Sequence, residues 1–224
     1  MIPARPDASA GPRPFASFAE FTLAEAVLLA SREDGLRLSL TPQLLSGAAL
    51  VELILAGRLP SVAEGRDAFP RVWVGVPGDP TPLGLPPLDV ALTALARRGS
   101  SWEVGSAARD LGGPVAAATV GLLAARGLVH PLGEGRAPLA VTIADDDRVG
   151  AVQEAIALLR AMPERARSPR SGALLALIAA GPWRMDDIVF KEQSAALERW
   201  FSGDLLRALR GTLAAARATS YAVG

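Results

Sequence analysis

The chain has 224 residues, half of them hydrophobic, with 23 basic and 23 acidic side chains and no cysteine. Zero formal charge argues against a dedicated nucleic-acid binder, which carries a basic excess. The missing cysteine excludes disulfides, thiolate zinc sites and cysteine nucleophiles.

Ala and Leu supply most of the apolar content, which favours packed helices over layered strands. Residues 1–20 are rich in Pro, Ala, Ser and Gly without a period, and they read as a disordered lead-in to one domain at 21–224. No basic segment followed by an apolar run stands at the amino terminus, so no signal peptide is expected. The apolar stretches at Leu44–Gly57 and Gly172–Gly181 are too short to span a bilayer. The expected location is cytoplasmic, or peripheral at the inner face of a membrane.

Thr22 and Glu25 have capping-box spacing, which predicts a helix starting at Thr22 and ending before the turn Glu33-Asp34-Gly35. Thr41-Pro42 is a second start signal. The helix after it is apolar on nearly all sides, and a helix without a polar face must be surrounded by protein, so it belongs at the centre. Glu52 on that helix needs a partner, Arg58 or another arginine. The prolines between Arg58 and Leu88 forbid a long helix there, and the alternating Arg71–Val76 predicts a strand paired near Leu59–Ala63.

Helices are expected at Pro87–Arg97, Ser101–Leu111 and Pro114–Arg126. Leu128–Thr142, turning at Gly133-Glu134-Gly135, predicts a β-hairpin whose strand edges favour contact with a protein partner or a second copy. Asp145, Asp146 and Asp147 suit the N-terminus of the next helix. Ala173–Ala180 predicts another buried helix, and Gln193–Phe201 and Asp204 to Ala218 the terminal ones. The fold class is therefore mainly α: a single helical domain with a central apolar helix, surrounding amphipathic helices and small β-hairpins.

Catalytic chemistry finds little footing. One histidine, His130, makes neither a triad nor a metal site, and no nucleophile elbow or phosphate-binding glycine loop occurs. No enzyme activity, cofactor or metal is expected. Arg160, Arg165, Arg167 and Arg170 cluster around one loop with only Glu164 opposing them, and could face anionic lipid.

The order of segments resembles the Golgi phosphoprotein 3 family: Phe21–Ala30, Leu44–Leu59 with its Glu-Leu and Gly-Arg pairs, PLDVALTAL, a Trp102-led helix, GLLAARGLV with a hairpin, then ALLALIAA. The resemblance implies a bacterial member of a family of non-enzymatic adaptors at membranes that recognise phosphatidylinositol 4-phosphate. The lipid-pocket arginines of that family would fall at Ser46, Gly113 and Ala116, and its tryptophan near Arg37. Specific phosphoinositide binding is therefore not expected from these positions, and Arg37 and Arg109 are the cations left to contact a headgroup. The alternative reading is a winged-helix-like DNA binder, with Ser101–Leu111, Pro114–Arg126 and the hairpin as helix, turn, helix and wing. Its recognition helix offers no basic or amide side chain before Arg126.

Overall fold

The computed structural model describes residues 20–33, 37–39, 42–64, 71–132, 140–144, 146–162 and 168–179. The lead-in at 1–19, most of the Arg160–Arg170 loop and the terminal helices expected after Ala180 lie outside the described residues.

Helix α1 (Leu23–Ala30) opens on the capping box: the Glu25 N–H donates to the Thr22 hydroxyl at 3.2 Å, and the Thr22 N–H donates back to the Glu25 carboxylate at 2.7 Å. Helix α2 (Pro42–Leu55) buries Leu44 through Val51 and also Leu53. Each fully buried leucine there contributes about 1.5–3 kcal/mol relative to exposure, which is why this helix organises the rest. It packs against α1, α3 (Pro86–Arg98), α4 (Val104–Ala125) and α6 (Pro169–Ala179), with α5 (Asp146–Ala161) on the far side of α1. The central placement expected from its sequence holds.

Two small antiparallel sheets attach to this body. One has the order β1 (Arg32–Glu33), β2 (Arg37–Ser39), β7 (Ala140–Ile143), β6 (Val129–Leu132). The expected hairpin is present as β6 and β7, with His130 opposite Thr142. It is not an isolated hairpin, because β2 pairs with the second edge of β7. The other sheet joins β3 (Ser61–Glu64), β4 (Arg71–Val74) and β5 (Trp102–Glu103).

Two expectations for residues 101–126 need correction. The helix begins at Val104, because Trp102 and Glu103 pair with β4 and the Glu103 carboxylate then caps the N–H groups of Gly105 and Ser106 at 2.9 and 2.7 Å. Nor are there two helices with a turn between them: α4 runs on through Pro114. Pro114 and Asp110 are both exposed, so the carbonyl that loses its intrahelical donor to the proline ring faces water. The helix–turn–helix unit that a winged-helix reading requires does not form.

Candidate membrane-facing site

The position of Ser46 is set by how closely α2 crosses α4. A Cβ on Gly112 would stand 3.2 Å from the Pro42 Cβ and 3.3 Å from its carbonyl carbon, so the crossing uses the missing side chain. Ser46 lies beside this contact and is fully buried. Its hydroxyl donates to the Ala108 carbonyl of α4, with the carbonyls of Gln43 and Pro42 at 3.0 and 3.1 Å. One hydroxyl proton serves one acceptor well, and the shortest approach, to Ala108, is the bond between the helices.

On α4, Ala116 is buried and Gly113 borders open space. Arg109 is exposed one turn before Gly113, on the same side of the helix. Arg37 stands on β2, opposite Thr142. Phosphate recognition needs fixed N–H donors at converging positions. The side chains at Ser46, Gly113 and Ala116 bring none, and Arg37 and Arg109 stand on separate elements.

The arginine cluster expected around the loop divides. Arg160 is exposed in the last turn of α5, whereas Arg165 and Arg167 lie outside the described residues. Arg170 turns inward. Its Nε and Nη2 lie 3.0 and 2.9 Å from Glu52 Oε1, and Nη2 also donates to the Phe21 carbonyl. Glu52 Oε2 accepts from the Leu23 N–H at 2.7 Å. The partner that Glu52 requires is thus Arg170, with a backbone donor beside it. Arg58 instead pins the loop that follows β4, donating to the carbonyls of Asp79 and Thr81 at 2.8 and 2.6 Å.

A second acid–arginine pair flanks the same turn of α1. Glu25 is fully buried, and its Oε1 lies 3.2 Å from Arg126 Nη1 without a well-aligned hydrogen bond. Arg126 also reaches the Glu20 carbonyl at 3.3 Å and sits over the Phe21 ring, 5.4 Å from its centroid. Burial pushes the Glu25 carboxyl above its ordinary range, against the opposing pull of the Thr22 N–H, Arg126 and the Thr22 hydroxyl. Desolvation wins because the carboxylate has one cation, and that cation is itself more than a quarter exposed. The two pairs clamp the start of α1 to α2, α4 and α6.

A groove of about 610 Å³ runs between α3 and α4. Pro86, Asp89, Val90, Ala94 and Arg97 form its α3 wall, and Leu111 and Pro114 the α4 wall. Nothing in the sequence marked it, since its lining mixes apolar, polar and charged side chains drawn from two helices.

Among the described residues no helix is long and apolar enough to cross a membrane, and no group of three or more His, Cys, Asp or Glu side chains could hold a metal ion. No curated protein matches the chain. The family model for Golgi phosphoprotein 3 (GPP34) matches residues 23–220, which takes in every helix described above. With that match over most of its length, and with helices and hairpin in the order the resemblance implies, the chain belongs to the Golgi phosphoprotein 3 (GPP34) family.

Proposed function

We propose that this protein is a non-enzymatic adaptor that meets anionic membrane surfaces through dispersed arginine charge, without a stereospecific pocket for phosphatidylinositol 4-phosphate. The observation that carries this reading is the closed α2–α4 crossing, where the buried Ser46 hydroxyl bonds to Ala108 and Gly112 rests on Pro42. A headgroup would need a cation where that crossing offers a serine, a glycine and an alanine. Arg109 and Arg160 are exposed and suited to diffuse attraction, worth about 1 kcal/mol per residue near an anionic surface. Arg170, engaged with Glu52, is set aside from this role.

The adaptor role extends to a protein partner at the hairpin. Strand β6 is the outer strand of its sheet, and Leu132 at its end is exposed. The DNA-binding alternative has little to support it, because α4 is one unbroken helix.

The test is flotation with liposomes across a salt series. Diffuse attraction is screened beyond about 10 Å at 0.1 M salt, so binding should scale with total anionic lipid and collapse as salt rises. Binding that survives moderate salt and saturates with one headgroup would overturn the proposal.

A further inference from the structure

Two carboxylates crowd the start of α1. Glu25 Oε2 accepts from the Thr22 N–H at 2.7 Å and from the Thr22 hydroxyl at 2.9 Å. Glu52 Oε2 accepts from the next N–H, that of Leu23, at 2.7 Å. Held on consecutive N–H groups, the two negative charges repel. They are not equally provided for. Glu52 is partly exposed, and Nε and Nη2 of Arg170 both reach its Oε1, at 3.0 and 2.9 Å. Glu25 is fully buried, and its Oε1 has Arg126 Nη1 at 3.2 Å without a well-aligned hydrogen bond. The charged groups around Glu25 are thus Glu52 on α2, Arg126 at the end of α4 and Arg170 on α6. Arg148 of α5 donates to the Arg126 carbonyl at 3.5 Å, and Glu20, before α1, is exposed.

We propose that the Glu25–Arg126 pair is a proton-operated charge switch: when Glu25 takes a proton from solvent, Arg126 is left as a surface cation that draws the protein to anionic lipid. The switch presupposes the membrane contact proposed for this protein and adds its regulation. Oε2 already accepts from two donors, so the proton goes to Oε1. There the new O–H confronts the N–H groups of Arg126, donor against donor, and the guanidinium, 28% exposed, moves outward. The Glu20 carbonyl at 3.3 Å and the Phe21 ring keep it at the surface. Arg170 stays on Glu52, so the charge that appears belongs to Arg126. With Glu25 ionised the two carboxylates and two guanidiniums cancel; with Glu25 protonated one positive charge is left over. Burial raises the Glu25 carboxyl and so puts this change above its ordinary 4.5. By reciprocity, an anionic surface that engages Arg126 favours the proton on Glu25.

The experiment is flotation of the full chain with phosphatidylserine vesicles at low salt, from about pH 5 to about pH 8, for wild type and Glu25→Gln. Glutamine suits this position of a capping box as glutamate does, and circular dichroism checks the fold. Glu25→Gln fixes the uncharged state. The wild type should match it at the acid end and bind about fivefold more weakly at the alkaline end, the effect of about one surface charge. His130 and the exposed carboxylates titrate alike in both proteins, so the ratio between them isolates Glu25. In an Arg126→Ala background the ratio should stay at one, because a buried carboxyl without its cation remains protonated. A ratio constant across the series in the native background would overturn the switch while leaving the membrane contact intact. So would a pH-dependent ratio that persists without Arg126. Failure of every protein to float at any pH would overturn both.

Discussion

Replacing Glu52 with alanine should be among the most damaging single changes to this fold, and its magnitude follows from what the carboxylate holds. The Leu23 N–H is fully buried and would lose its acceptor, which costs about 1–3 kcal/mol. Arg170 would lose its carboxylate partner. Breaking a fully buried pair costs about 3–5 kcal/mol, but the Arg170 side chain is 29% exposed and keeps the Phe21 carbonyl, so its share is nearer ~1 kcal/mol. Together these come to about 2–4 kcal/mol, a fall in Tm of about 5–15 °C for a chain of this size. Glu52→Gln keeps an acceptor for Leu23 and should cost about half as much. Urea unfolding, followed by circular dichroism and tryptophan fluorescence together, measures both and checks that the transition is two-state. If Glu52→Ala stays within ~0.5 kcal/mol of wild type, as an exposed substitution would, the clamp around α1 contributes nothing.

The α2–α4 crossing makes a contrasting pair. Gly112→Val should destabilise by about 2 kcal/mol, since its Cβ meets Pro42 backbone, whereas Gly113→Ala, with open space, should gain up to ~1 kcal/mol of helix propensity; equal effects in thermal unfolding would refute the close approach. Glu25 gives a pH dependence. Its carboxyl is raised in the folded state, so its contribution to stability is complete below the ordinary value of 4.5 and is lost as pH climbs through the raised value. Glu25→Gln removes this dependence, so the stability of wild type relative to Glu25→Gln should decline from about pH 4.5 upward, and parallel curves in urea titrations would refute it.

What the sequence reveals here depends on the range of the interaction. The Thr22–Glu25 box, the strands at 61–64 and 71–74, and the hairpin after Gly127 are local patterns, legible because their partners lie within about a dozen residues. Glu52 announces that it needs a cation, since a carboxylate on an apolar helix cannot stand alone. Only the fold can choose Arg170, which is 118 residues away, over the nearer Arg58. Pro114 misleads because a proline reads equally as a helix start or as a tolerated interior residue, and exposure decides between them. Strands β1, β2 and β5 are two or three residues long, too short to display alternation; β2 and β5 exist because β7 and β4 offer edges, and β1 pairs in turn with β2. The α3–α4 groove follows from how two helices pack, and no single residue signals it.

Whether the α2–α4 crossing forms a phosphoinositide pocket is decided by isothermal titration of the full chain with a soluble short-chain phosphatidylinositol 4-phosphate. No membrane is present in that titration, so diffuse surface attraction plays no part. A closed crossing should give no saturable heat at ligand concentrations up to about 1 mM, the weak end of specific recognition. Saturable one-to-one binding, abolished by Ser46→Leu or Gly113→Leu but not by Arg160→Ala, would contradict this and place a specific headgroup site at that crossing.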